Sequence, residues 1–203
     1  MKPLYVSYHK IGVTVPTPWW VSVDTFKKQI QAFKESGIDI TLTFDDGLES
    51  FYTYAYPSIL ECKIPTIVFV ISSLVGGNDR SFYPPDEPCS QLMNWEMIKE
   101  ISSNGIVIGS HTRSHRTLID LEYDDILGEL SLSKSTIEHQ ISKSVLDFAY
   151  PHNTYSMKVI EALKAAGYKR AFAGETAEDI QYAIRRVSMN EKTDKDKLIK
   201  EYK

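Results

Sequence analysis

Short apolar runs rich in β-branched and aromatic residues alternate with helix-period stretches along almost the whole chain. Runs near Leu4–His9, Ile40–Phe44, Thr66–Ile71, Ile106–Gly109, Val145–Tyr150, Arg170–Ala173 and Ile184–Ser188 predict strands. Thr66-Ile67-Val68-Phe69-Val70-Ile71 is nearly continuous in apolarity, as expected for a parallel strand covered on both faces. Phe26, Ile30 and Phe33 recur at helical spacing, with Ser22 or Asp24 as candidate cap and Gly37 as the stop. Asn94 is placed to cap a helix carrying Met97, Ile98 and Ile101 and ended by Gly105. Further helices are expected over Tyr123–Ile141 and from about Ser156 to Ala166, and a solvated terminal helix from Thr193.

This alternation predicts an α/β fold with parallel strands in a single domain over residues 1–203. Seven strand–helix units fit 203 residues better than the full eightfold barrel, which needs about 250. A closed or nearly closed barrel is therefore favoured over an open doubly wound sheet. The irregular stretch Leu74–Met93, with Gly76-Gly77, Pro84-Pro85 and Pro88, is long enough to be a substrate-facing loop.

Bulk properties narrow the function by exclusion. A net charge of −4 gives no basis for nucleic acid as a partner. No apolar run reaches the roughly 20 residues of a membrane span. The segment Met1–His9 lacks a signal peptide's apolar region, which predicts a cytoplasmic protein, or an envelope or secreted one whose export signal was removed. Cys62, near the end of an apolar helical stretch, reads as a small hydrophobe, and Cys89 sits in the Pro-rich loop; neither belongs to a metal or redox motif. No pattern assigns an oligomeric state.

Parallel α/β folds carry their chemistry at the carboxyl ends of the strands. His9 ends the first predicted strand, Asp45 and Asp46 end the second, His111 and His115 follow the fourth, and Tyr150, Pro151 and His152 end the fifth. Taken singly, Asp-Asp-Gly also suits a tight turn, and His-x-x-x-His also occurs as incidental surface residues. Together they put four of the five histidines and an acidic pair on one rim; His139 falls inside a helix, away from it. Two imidazoles and a carboxylate are a common ligand set for a catalytic divalent ion, and the second aspartate is then free to act as a base. On chemistry alone the two aspartates are interchangeable.

Thr43-Phe44-Asp45-Asp46-Gly47, His111-Thr112-Arg113-Ser114-His115 and Phe148-Ala149-Tyr150-Pro151 resemble the three main motifs of the polysaccharide deacetylase (NodB-homology) family, carbohydrate esterase family 4. Met93-Asn94-Trp95-Glu96 through Ser110 resembles that family's approach to the histidine motif, so the resemblance runs from about Tyr8 to Val187. It implies a distorted (β/α)7 barrel and a divalent metal, Zn2+ foremost, with Co2+ or Ni2+ as alternatives. It further implies Asp46, His111 and His115 as ligands, Asp45 as general base, the His152 main-chain N–H as oxyanion donor, and Tyr150 and Pro151 as substrate contacts. The implied substrate is an N-acetylated glycan.

Several positions depart from the family pattern. His152 stands where tyrosine is usual, Asn153 where glycine is usual, and Ala149 where many members carry an arginine that supports the base. Arg185 or Arg186 is a candidate replacement. The C-terminal histidine motif is absent, and Tyr8-His9 resembles the N-terminally shifted version of the poly-N-acetylglucosamine deacetylase branch, which assigns the general acid to His9. Competing readings are hydrolysis of another C–N bond or an O-acetyl ester, and a catalytically silent sugar-binding domain using Trp19 and Trp20, which equally suit a core or capping role.

Overall fold

Seven strand positions arranged around one axis define the molecule in a computed structural model that describes residues 3–15 and 17–203. Met1 and Lys2, part of the expected N-terminal reading, lie outside the described residues. Strand β1 (Leu4–Tyr8) is followed by a short parallel ribbon, β2 (Lys10–Gly12) with β3 (Trp20–Ser22), and by helix α1 (Val23–Ser36). Then come β4 (Ile40–Phe44), a π-helical turn at Phe51–Ala55 running into α2 (Tyr56–Cys62), and β5 (Thr66–Val70). The chain continues through α3 (Trp95–Ser103), β6 (Val107–Ser110), α4 (Tyr123–Ile141), β7 (Asp147–Ala149), α5 (Met157–Ala165) and β8 (Arg170–Ala173). It ends with β9 (Ile184–Arg185), β10 (Val187–Ser188) and α6 (Lys195–Glu201).

Every pairing in the main sheet is parallel, in the order β10-β1-β4-β5-β6-β7-β8-β9. The expected last strand, Ile184–Ser188, is split. Ile184 and Arg185 pair with β8, whereas Val187 and Ser188 pair with Val6 and Ser7 of β1. One segment therefore reaches both edges of the sheet and closes the barrel, with Arg186 at the break.

Period-2 alternation divides the core. Leu4, Val6, Tyr8, Leu42, Phe44, Val68 and Val70 join the main cluster, which also holds Phe26, Ile30 and Phe33 of α1 and Ile98 and Ile101 of α3. Ile67, Phe69, Ala149 and Phe172, with Tyr5 and Ile184 against them, form a second cluster from the opposite strand faces, filling the barrel interior. Local signals act as the sequence predicts. Ser22, rather than Asp24, caps α1 by accepting the Thr25 N–H at 3.1 Å, and Gly37 ends it at φ 68°. Asn94 caps α3 by accepting the Met97 N–H at 3.0 Å. The terminal helix departs from expectation: Leu198 and Ile199 are buried and α6 docks on α1, because its short apolar pair covers that helix's flank. The β2–β3 ribbon was not expected, since three residues per strand are too few for a periodic signal.

Gly109 marks the tightest strand contact. A Cβ there would sit 2.4 Å from the Phe69 ring and 3.0 Å from the Asp147 carbonyl oxygen. Gly109→Ala should therefore cost about 1–3 kcal/mol, as overpacking of a close-packed core does. Urea unfolding of the metal-free protein measures this, and an unchanged midpoint would show that the barrel wall is looser than described.

Candidate active site

The carboxyl ends of β1, β4, β6 and β7 open into a cleft of about 410 Å³ lined by His9, Trp19, Asp45, Asp46, Phe82, Tyr83, Pro84, His111, His115, Tyr150, His152 and Asn153. The expected rim residues are thus gathered in one place. Pro151 is the exception: it is buried and does not line this cleft. Arg185 is exposed and points away from the expected supporting role, whereas Arg186 is 1% exposed.

Backbone shape does much of the gathering. Eight non-glycine residues among those described have positive φ, and five of them, Asp46, Thr112, His115, His152 and Asn153, lie in or beside the cleft. Such left-handed positions carry strain that surrounding structure must hold in place. The histidine loop shows how. The Thr112 hydroxyl accepts the His115 N–H at 2.8 Å, Ser133 Oγ donates to the Thr112 carbonyl at 3.0 Å, and the Ser114 N–H and Oγ both donate to Glu129, at 2.9 and 2.6 Å. The loop, rather than a helical face, turns both imidazoles inward. Asn153 tolerates the left-handed turn where glycine is usual, because asparagine adopts that region more readily than most side chains.

Asp45 and Asp46 are adjacent and buried but differ in surroundings. Arg186 grips Asp45 in a two-pronged pair, Nη1 to Oδ1 at 2.7 Å and Nη2 to Oδ2 at 2.9 Å. Its remaining donors reach Ala173 O, Thr43 Oγ1 and Asn153 Oδ1, at 3.2, 3.1 and 3.4 Å. Burial alone would raise the Asp45 carboxyl, but Arg186, aided by His111 and His9, holds it well below the usual carboxylate range. His9 Nε2 lies 3.9 Å from Asp45 Oδ2, beside the Trp19 ring.

Asp46 faces the histidine pair instead. His111 Nε2 and His115 Nε2 each lie 3.5 Å from Asp46 Oδ1, and one ligand atom from each of the three residues falls within 4.8 Å of the others. Tetrahedral zinc with bonds near 2.0–2.1 Å separates its ligands by about 3.4 Å, so these spacings suit one ion better than direct hydrogen bonds. His111 Nδ1 donates to the Ala149 carbonyl at 2.8 Å, which leaves the Nε2 lone pair facing Asp46, the orientation a metal-binding histidine needs. Burial, outweighing nearby carboxylates, pushes the His111 imidazole down to about 4; burial and then His152 push His115 to about 4. Both are therefore neutral near pH 7. The residues present fit a divalent cation.

Two features escaped the sequence reading. Tyr83, from the irregular loop, donates its hydroxyl to Asp46 Oδ2 at 2.8 Å, and burial together with the Asp46 carboxylate keeps that phenol protonated. Lys10, fully buried in β2, supports the same loop. No motif marks either residue; only the loop's length and proline content hinted at a role. Trp19 borders the cleft, half exposed, while Trp20 turns inward and donates to Glu87 at 2.8 Å, which separates the paired tryptophans into a cleft wall and an anchor. Tyr150 is buried apart from its cleft face, and its hydroxyl donates to Tyr182 O at 2.6 Å.

Residues 25–171 match the polysaccharide deacetylase family model. YxkH of Bacillus subtilis is 24% identical over 155 residues, covering 74% of this chain and 51% of its own. The poly-β-1,6-N-acetyl-D-glucosamine N-deacetylase of Staphylococcus aureus is 26% identical over 145 residues, covering 67% and 48%. The chain thus spans about half the length of the curated relatives it matches. Among solved structures, the Streptococcus pyogenes deacetylase PplD in complex with acetate superposes with TM-score 0.87 at 20% identity, over 100% of this chain and 99% of that one. IcaB from Ammonifex degensii superposes with TM-score 0.77 at 19% identity, over 98% and 97%. These two likenesses establish the shared barrel. His9 and Arg186, which flank Asp45, fall outside the family-model match but inside the shared fold. With the family model covering well over half of the sequence, the chain belongs to the polysaccharide deacetylase family.

Proposed function

We propose that this chain is a divalent-metal-dependent hydrolase that removes acetyl groups from N-acetylated sugars of a glycan, acting as one catalytic domain. The observation that carries this reading is the division of labour between the adjacent aspartates. Asp46 faces two neutral imidazoles at a spacing suited to one ion, while Asp45 stands beside it, ionised and held by Arg186. The name of the Staphylococcus aureus relative supports an N-acetylglucosamine polymer as substrate. Trp19, Phe82 and Tyr83 add aromatic walls of the kind that stack on sugar rings, while Tyr150, buried, backs the cleft.

Asp46, His111 and His115 would hold the cation, with zinc as the expected ion. A divalent ion in this position acidifies water and polarises an acetamide carbonyl. Asp45, kept charged by Arg186, accepts the proton of the attacking water; the bidentate pair leaves its other lone pairs free. His9, next to Asp45, delivers a proton to the departing sugar amine. Its imidazole lines the cleft beside both Asp45 and Trp19, within reach of a bound sugar amine. The His152 main chain, in the left-handed turn after Pro151, supplies the oxyanion donor. A single donor of this kind contributes about 2.7–4 kcal/mol to barrier lowering.

Acetate release tests the reading directly. N-acetylglucosamine oligomers should release acetate with zinc, cobalt or nickel present and stop when a chelator is added. Release only from acetylated xylan would instead identify an O-acetyl esterase. Asp45→Asn should lower kcat by at least a hundredfold while retaining metal, and Asp46→Asn should lose the metal itself. The reverse pattern would exchange the roles of the two carboxylates. His9→Ala should retain metal and turn over slowly; near-normal rates would remove His9 from the reaction.

Metal binding should also resist acid. Because burial depresses both histidines to about 4, the neutral, ligating form persists as pH falls through the usual histidine range. Zinc affinity should stay within about threefold between about pH 7.5 and 5.5. Two histidines titrating near their ordinary value of about 6.5 would together lose about a hundredfold over that interval. Competition titration against a chromophoric chelator distinguishes the two outcomes.

A further inference from the structure

Lys10 takes no part in the reaction above, yet it is fully buried beside two buried carboxylates. Its ammonium pairs with Asp79 Oδ2 at 2.7 Å, donates to Glu87 Oε1 at 3.0 Å and to the Pro88 carbonyl at 3.2 Å, and lies 3.9 Å from the centre of the Tyr83 ring. Asp79 and Glu87 are buried too, and they bracket the tip of the loop that follows β5. Each has a second tie: the Ser90 N–H donates to Asp79 Oδ1 at 2.8 Å, and Trp20 Nε1 to Glu87 Oε1 at 2.8 Å. Between them, the Phe82 and Tyr83 N–H groups both donate to the Asp79 carbonyl, each at 3.2 Å. A buried lysine stays charged only where its desolvation is offset, and an unmatched charge here would disrupt the loop.

This Lys10–Asp79–Glu87 latch and the proposed metal site meet at Tyr83. The Tyr83 ring lies against the Lys10 ammonium, and its hydroxyl donates to Asp46 Oδ2 at 2.8 Å. Asp46 Oδ1 is the oxygen that faces His111 and His115. The two oxygens of one carboxylate are thus divided between the loop and the imidazoles. We propose that Tyr83 is a positioning residue for Asp46, and that the Lys10–Asp79–Glu87 cluster holds Tyr83 in that role. The hydroxyl occupies Oδ2, fixes the rotation of the carboxylate and directs Oδ1 at the metal position. Outer partners of this kind commonly change metal affinity by about 10–100-fold. The inference rests on Asp46, His111 and His115 being the metal site.

Zinc affinity by chelator competition, with the visible spectrum of the cobalt-loaded protein as a second readout, tests the proposal on the full chain. Tyr83→Phe keeps the ring over Lys10 and removes only the hydroxyl. It should bind zinc about 10–100-fold more weakly and shift the cobalt spectrum, while the metal-free melting temperature changes little. Lys10→Met should weaken zinc to a similar degree. Adding Tyr83→Phe to Lys10→Met should cost nothing further, because the hydroxyl is already displaced. Where Lys10→Met alone does not fold, the triple change Lys10→Met, Asp79→Asn, Glu87→Gln removes the buried charges together and takes its place. Wild-type protein that binds zinc tightly, with Tyr83→Phe equal to it within twofold, overturns the positioning role. Additive losses from the Tyr83 and Lys10 changes overturn the link between latch and ligand. Wild-type protein that binds no zinc overturns the metal-site reading itself, and this inference with it.

Discussion

The buried pair between Arg186 and Asp45 is the interaction on which the architecture and the chemistry both depend. Arg186 occupies the break between β9 and β10, where the barrel closes, and its guanidinium lies 5.6 Å from the Phe69 ring that fills the interior. Its two prongs to Asp45 and its bonds to Thr43, Ala173 and Asn153 tie β4, β8, the closing strand and the turn after β7 together. Removing either member of such a pair leaves a buried charge without its partner, at a cost of about 3–5 kcal/mol. The same contact keeps Asp45 ionised, and so separates its chemistry from that of Asp46 one residue away.

Around this pair the cleft is built in two halves. The lower half belongs to the barrel: strand ends supply Asp45, Asp46 and His111, and the loop after β6 supplies His115 through a left-handed turn. The upper half is the irregular loop, which brings Phe82 against His115 and Tyr83 to Asp46, and is fastened through Lys10, Asp79 and Glu87. Strained backbone concentrates in and beside the cleft, at Asp46, Thr112, His115, His152 and Asn153. That distribution fits a site whose geometry is set by tertiary packing rather than by local preference.

Much of this was legible in the sequence, and the missing parts share a physical reason. The strands from Ile40 to Phe44 and from Thr66 to Val70 announced themselves by apolar runs, and the chemistry by its place at strand ends. Asp46, His111 and His115 could be grouped because each sits within a few residues of a recognisable strand terminus. Arg186 could not be told from Arg185 until the closing strand was seen to break between its two pairings, since a five-residue segment that changes partner midway has no single inward face. Nothing in the sequence around Lys10 sets it apart from a solvated lysine, yet it is fully buried. Its burial depends on Asp79 and Glu87, 69 and 77 residues further along the chain. Tyr83 lay in a stretch without periodicity, where no pattern says which side chain turns inward.

The proposed chemistry requires one divalent ion between Asp46, His111 and His115 while Asp45 stays with Arg186. Crystals grown with zinc, measured on both sides of the zinc absorption edge, test it most directly. Such crystals should show one anomalous peak bonded to Asp46 Oδ1, His111 Nε2 and His115 Nε2 at about 2.0–2.2 Å, with the Asp45–Arg186 pair intact. A peak ligated by Asp45, or none between the two histidines at saturating zinc, would contradict it.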